Sequence, residues 1–292
     1  MILSIFLCVV LFFSDFVWAE VLIYNDEGVD QDSLIYAQDF FESRNCSVRI
    51  VDAEFLKEKA WISENNSENY NNYNNNVLVI PGGADCPYHR KLRGIGCDNI
   101  KEFVRNGGTY VGICAGGYFG CKRVKFAIGT ELEVDESREL SFFPGVALGP
   151  MLKPYVYDSE EGASAAAVET VDGRMFYAYH NGGGTFVFDE IDNKDCKKDN
   201  RKDNNRDINR GIKILARYSD AKHSPAIIKC KYGKGVAILS GVHYEINPKM
   251  LLSVVKKEDM QYIKPIAEKI NSTLEIKENF LDEIFKAVII KR

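Results

Sequence analysis

The sequence predicts an α/β fold: a mostly parallel, doubly wound sheet in the first half, joined to a region of added antiparallel strands. Two observations carry this. From Val21 to Ile113 short apolar runs alternate with segments of helical spacing, as in repeated βαβ units. After Gly120 the texture changes to alternating apolar and polar runs broken by Gly and Pro, the pattern of antiparallel pairs.

Each element has its own signal. Val21 to Tyr24 reads as a buried first strand, and Asp30 to Ser43 carries Leu34, Ile35, Ala37, Phe40 and Phe41 at helical spacing. Ser47 to Val51 is the second strand. Glu64 to Asn76 is Asn-rich and of low complexity, which predicts a surface loop. Val77 to Ile80 forms the third strand and ends in Pro81-Gly82-Gly83. Asp98 to Asn106 is a helix closed by Gly107-Gly108, and Tyr110 to Ile113 is the fourth strand. Antiparallel strands are expected within Val124–Phe143, Gly173–Phe188 and Ile212–Leu239. Asp189 to Arg210 is dense in charge and reads as a solvated insertion. Lys256 to Ile290 carries one or two helices.

With 292 residues and 46% apolar composition, residues 20–292 can form a single domain with a substantial core. Charged residues make up 27% but sum to only −5, and the basic ones form no stripe. Nucleic acid is not expected as a partner.

Ile2 to Phe13 is almost wholly apolar, and Val17-Trp18-Ala19 suits cleavage after Ala19. Residues 1–19 are therefore expected to be a signal peptide, the mature protein to be secreted, and no membrane span to remain. Of eight cysteines, Cys8 would leave with the signal and seven would remain. An odd count in an oxidising compartment predicts at least one free thiol, with Cys114 its natural bearer and most others oxidised. Cys86 and Cys97 could staple the turn-rich stretch between them. Sequons start at Asn45, Asn65 and Asn271. No Cys or His spacing suits zinc, so neither metal nor other cofactor is expected.

The sharpest motif is Gly112-Ile113-Cys114-Ala115-Gly116, placed directly after an apolar strand. Small flanking residues allow a tight strand-to-helix turn that lifts the central side chain above the sheet. A helix start beside the sulfur favours its ionised form. On its own the pattern also fits ordinary packing; the strand before it argues for a nucleophile elbow.

A cysteine nucleophile needs a base and a group that orients the base. His243 follows an apolar strand, and Glu245 lies two residues on, on the same side of an extended chain. His89 and His223 sit in polar turns. His180, before Asn181-Gly182-Gly183-Gly184, is a rival. The turn at Gly82-Gly83 exposes backbone N–H groups that, with the amide of Ala115, could hold an oxyanion.

Several motifs occur in order: Val79–Asp85 (VIPGGAD), Gly112–Gly120 (GICAGGYFG), Ser137–Gly145 (SRELSFFPG), Val156–Gly162 (VYDSEEG), Asn181–Gly184 (NGGG) and Leu239–His243 (LSGVH). Together they resemble the amino-terminal domain of eukaryotic biotin–protein ligases, part of the class I glutamine-amidotransferase-like superfamily. The resemblance implies a three-layer α/β/α fold of flavodoxin-like kind and a Cys–His–Glu triad at Cys114, His243 and Glu245. It sets Gly82, Gly83, Ala115, Tyr118, His180 and Asn181 around the pocket. The family's usual His-Pro-Glu reads His243-Tyr244-Glu245 here, and His180 replaces an aromatic residue. These residues carry no Gly-Arg-Gly adenylate motif, so biotin transfer is not expected of them.

The expected function is a thiol-dependent hydrolase or amidase acting on a small amide of glutamine or γ-glutamyl type. The alternative is an inactive module that keeps the pocket for a small ligand. The sequence does not set the oligomeric state.

Overall fold

The computed structural model describes residues 20–63, 77–188 and 211–289. The expected signal peptide, the Asn-rich segment with its sequon at Asn65, and the charged insertion 189–210 lie outside them. Among the described residues no helix is long and apolar enough to cross a membrane.

The chain opens with strand β1 (Glu20–Tyr24), helix α1 (Gln31–Glu42) and strand β2 (Ser47–Val51). Asp30 caps α1 by accepting from the Ser33 amide at 2.7 Å, which fixes where the helix begins. Two short helices follow, α2 (Ala53–Lys57) and α3 (Ala60–Ser63), then β3 (Val77–Ile80). Helices α4 (Asp85–Leu92) and α5 (Ile95–Arg105) lead to β4 (Thr109–Ile113) and the one-turn helix α6 (Ala115–Phe119). Helix α4 was not expected, because its DCPYHRKL sequence is polar and shows little periodicity; it is held at the start by an ion pair described below.

The second half supplies β5 (Cys121–Phe126), β6 (Val134–Ser137), β7 (Phe143–Gly149), β8 (Ser164–Thr170), β9 (Met175–His180), β10 (Thr185–Val187), β11 (Ile212–Tyr218), β12 (Pro225–Tyr232) and β13 (Gly235–Ser240). Helices α7 (Pro248–Val254), α8 (Met260–Asn271) and α9 (Leu274–Ile289) close it.

Among the described residues the main sheet has nine strands in the order β2-β1-β3-β4-β13-β12-β11-β8-β9. The pairs from β2 to β13 are parallel and those from β13 to β9 antiparallel. The sheet is therefore mixed, half parallel rather than mostly so, within an α/β fold. A four-stranded sheet, β10-β7-β5-β6, packs beside it.

Strand alternation sorts the core onto two faces. Leu22, Leu78, Ile80, Tyr110 and Leu239 meet α2–α5 and the smaller sheet. Val21, Val79, Val111, Ile113 and Ile238 meet α1 and α9 through Phe40, Phe41, Leu281 and Phe285. Helices α7 and α8 pack on the far strands through Ile263, Ile266 and Leu251.

The expected Cys86–Cys97 staple does not form. Cys97 is fully buried in the core under α5, while the Cys86 sulfur accepts from the Arg138 guanidinium at 3.3 Å. All six described cysteines are unpaired, so Cys114 is not distinguished by a free thiol, contrary to expectation. The expected sequons at Asn45 and Asn271 fall on exposed residues.

Candidate functional site

The carboxyl ends of β3, β4 and β13 lie side by side, and each carries one part of the site. Ligands in open α/β sheets bind at this edge. Cys114 stands where β4 turns into α6, with φ +51° and ψ −106°. Such a backbone is unfavourable for a residue with a Cβ and persists only when its surroundings enforce it. They do so here: the Cys114 amide donates to Ser240 O at 2.8 Å, and the Tyr110 hydroxyl donates to Gly116 O at 2.8 Å. Gly116 runs so close to β3 that a Cβ there would lie 1.9 Å from Ile80 O. The small residues of the elbow are thus required by its packing. Helix α6 spans only five residues.

His243 follows β13. Its amide donates to Tyr179 O at 2.8 Å, tying this loop to the end of β9. Its Nδ1 lies 2.8 Å from Glu245 Oε1, and both side chains are buried. Burial alone would push the imidazole down; the Glu245 charge, then the charge and hydrogen bonding of Cys114, overcome it and hold His243 well above the ordinary histidine value. His243 therefore sits between the Glu245 carboxylate and the Cys114 sulfur. Behind it Lys277 is fully buried and donates to Ile246 O at 2.7 Å, with its own pKa lowered to about 8 chiefly by burial. Glu245 Oε2 is buried with no hydrogen-bond partner among the described residues.

The turn after β3 forms the floor. A Cβ on Gly82 would come within 2.6 Å of His243 Cε1, so the imidazole needs a glycine beneath it. Gly83, with φ +139°, bridges to Val29. Among the described residues, neither the Gly83 nor the Ala115 amide donates a hydrogen bond to the protein. Arg138, from the SRELSFFPG stretch, is buried and pairs with Asp85 Oδ2 at 2.7 Å. Asp85 opens α4 directly after the turn, so this pair anchors the turn from behind. Removing one partner of such a buried pair costs about 3–5 kcal/mol.

The NGGG segment closes one side. Tyr118 donates to Gly182 O at 3.0 Å, His180 Nε2 to Gly183 O at 3.0 Å, and Tyr218 to Gly184 O at 2.9 Å. Three consecutive carbonyls are pinned, and Asn181 O is left 3.8 Å from Cys114 Sγ. His180 and Tyr118, expected around the pocket, are therefore absent from its lining: both are spent on holding this loop. His180 is buried against Tyr218, and burial takes its pKa down to about 4. Ala115 and Gly82 are likewise buried behind the surface, whereas Gly83, Asn181, Cys114 and His243 reach it.

These surfaces enclose a cavity of about 490 Å3. Its outer wall includes residues the sequence reasoning did not select: Asp30, Asp32 and Tyr36 from the start of α1, Tyr155 to Glu160 from a loop, and Tyr179. Tyr179 donates to Glu160 and packs edge-on against His243 at 5.5 Å. The VYDSEEG stretch was the available signal for Glu160; Asp30 read only as the first residue of an expected helix.

Residues 19–292 match the family model described as biotin-protein ligase, N terminal. A biotin--protein ligase of Schizosaccharomyces pombe is 34% identical over 238 residues, which cover 78% of this chain and 33% of that protein. The chain thus matches about a third of the length of that relative. An uncharacterized protein of Chlamydia muridarum is 32% identical over 278 residues, covering 92% of this chain and 96% of its own. Among solved structures, an exo-beta-1,4-mannosidase from Opitutaceae bacterium strain TAV5 has a TM-score of 0.44 at 13% identity, covering 93% of this chain and 36% of that one; at that level the likeness bears no weight.

Proposed function

The chain belongs to the family of biotin-protein ligase N-terminal domains, and on that premise we propose that it is a thiol-dependent amidase of class I glutamine-amidotransferase-like kind. What supports this reading above all is the buried imidazolium of His243, held between Glu245 and Cys114 at the mouth of one cavity. The fold is read accordingly as three layers, with α1 and α9 on one face of the mixed sheet and α2–α5 on the other.

In this mechanism Cys114 Sγ attacks the amide carbonyl while its proton resides on His243 Nε2. Glu245 holds Nδ1–H and keeps the ring turned toward the sulfur. The carbonyl oxygen becomes an oxyanion and accepts from the Gly83 and Ala115 amides. His243 then protonates the departing amine as the C–N bond breaks, leaving a thioester on Cys114. A water, deprotonated by His243, attacks that thioester; the acid leaves and the thiol is restored. Strain at Cys114 is useful in this scheme, because it fixes the nucleophile without further ordering.

The test is a panel of small primary and secondary amides with ammonia or amine release as readout. Glutamine and γ-glutamyl compounds stand in it because the family resemblance points to them. Wild type should turn over at least one member, and Cys114→Ser none, with an unchanged fold. No turnover by wild type, together with ligand binding that survives Cys114→Ser, would favour the pocket as a binding module.

A further inference from the structure

The cavity wall carries a charge that the nucleophile does not need. Asp30 and Asp32 come from the start of α1, Asp158 and Glu160 from the loop before β8, and Asp259 from the turn before α8. Three separate parts of the chain thus bring five carboxylates to one cavity. Lys256 and His243 are the basic residues among those lining it, and His243 is already engaged by Glu245. Among the described residues none of the five carboxylates forms an ion pair. Asp30 is used as a helix cap and Glu160 accepts from Tyr179, which satisfies hydrogen bonds without supplying a positive charge.

The carboxylates also act on one another. Burial raises the Glu160 pKa, and the charges of Asp259 and Asp30 add to it against the Tyr179 hydrogen bond and the charge of His243; Asp32 is raised by burial and then by Asp30, against Lys256. Like charges gathered in a partly dry cavity repel, and a cation relieves them. A second observation points the same way without involving charge. Asn181 Oδ1, on the same wall, is a buried acceptor with no donor among the described residues. A buried amide oxygen left unpaired is costly, and an N–H from a ligand would relieve that cost. Both observations therefore ask the ligand for donors and positive charge, and neither asks for an anion.

We propose that the cavity selects a small amide that carries an ammonium or other cationic group and has no free carboxylate near the reacting carbonyl. This deepens the reading above and rests on it, since the cavity must be the one from which Cys114 attacks. A volume near 490 Å3 has room for a molecule of amino-acid to dipeptide size. A γ-glutamyl compound would bring its α-carboxylate among five acids, with only Lys256 and the Glu245-paired His243 as positive groups. An amide of a basic amino acid, or an acylated diamine, would bring its charge to the wall that lacks one.

Matched thiol reagents test the assignment before any substrate is known. Methyl methanethiosulfonate is neutral; its 2-aminoethyl and 2-sulfonatoethyl analogues are cationic and anionic. In each case the Cys114 sulfur attacks the sulfenyl sulfur, a disulfide forms, and methanesulfinate leaves. Rates at Cys114 are read by peptide mass mapping, with Cys114→Ser as background, and each is divided by the rate of glutathione. The normalised cation-to-anion ratio should exceed tenfold at low salt and shrink towards one at 1 M salt, where the Debye length is about 3 Å. Asp32→Asn with Asp259→Asn should cut the ratio several-fold while the neutral reagent reacts as before. A fast neutral reaction with a normalised ratio near one overturns the charge assignment alone. A Cys114 that resists even the neutral reagent overturns the nucleophile reading, and the substrate class falls with it.

Discussion

Two buried histidines, His243 in the cavity wall and His180 behind it, are driven by their surroundings in opposite directions. His180 ends β9 and His243 follows β13, and the two loops are joined by the bridge between Tyr179 and His243. Both are almost wholly buried. His180 meets a carbonyl, Gly183 O, and burial wins, lowering its pKa to about 4. His243 meets a carboxylate, Glu245, and the charge wins, raising it well above the ordinary value. Burial alone therefore does not tell a structural histidine from a chemical one. The partner on the second ring nitrogen does, because a full charge outweighs a desolvation penalty that a dipole only trims.

The comparison is broken most directly by removing His243. With His243→Ala, alkylation of Cys114 by iodoacetamide at pH 7, or turnover once a substrate is found, should fall by about 10²–10⁴-fold, the usual worth of a positioned base. The same measurement on His180→Phe should stay within about threefold of wild type. Equal losses in both variants would mean that the two rings serve one structural purpose.

A smaller effect is expected when only the charge behind His243 is removed. Glu245→Gln keeps the shape and a hydrogen-bonding oxygen but deletes the carboxylate that holds the imidazolium. Cys114 reactivity at pH 7 should fall about 10²-fold, less than the loss from His243→Ala, since the orienting member of such a group is worth less than the base itself. The pH at which reactivity is half-maximal should also move. If the variant keeps the wild-type profile, Glu245 does not set the charge of His243.

Much of this site was legible in the sequence because local chemistry dictates it. The elbow needs small residues on both sides of Cys114, and Gly116 beside Ile80 O shows why. His243 and Glu245, two residues apart, do meet at 2.8 Å, although Tyr244 and Glu245 lie in a turn rather than on extended chain. Strands β1, β3 and β4 were readable from apolar runs that are buried on both faces, whereas β2 is largely exposed. Other features depended on partners remote in sequence. His180 looked like a site residue because it precedes NGGG, and only the packing of Tyr218 and the Gly183 carbonyl shows it to be a strut. Helix α4 was missed because its sequence is mostly polar, and the partner that holds its start, Arg138, lies 53 residues from Asp85. The cysteine count suggested disulfides, but a count carries no geometry, and Cys97 lies in the core rather than beside Cys86. The acidic wall escaped notice for the same reason: its carboxylates come from three distant segments, each ordinary alone.

The finest test of the comparison concerns stability and needs no substrate. A histidine whose pKa is about 4 when folded and about 6.5 when unfolded resists a proton that the unfolded chain accepts. Above pH 6.5 the ring is neutral in both states and contributes nothing. Between pH 6.5 and 4 the unfolded chain binds more protons, so stability falls as pH falls; below 4 both states are charged and the loss levels off. The full effect of such a shift is about 3 kcal/mol. Carboxylates raised by burial, such as Glu160 and Asp32, act with the opposite sign in the same range, so the wild-type curve alone mixes the two. The difference between wild type and His180→Phe isolates the histidine. Phe leaves Gly183 O without its donor, which lowers stability by about 1–3 kcal/mol at every pH. It also removes the titration, so the variant should lose less than wild type on acidification. Urea denaturation at pH 7, 6, 5 and 4 should show the two stability curves converging as pH falls. Parallel curves would mean that His180 takes up its proton without cost and that its partner, like that of His243, is a charge.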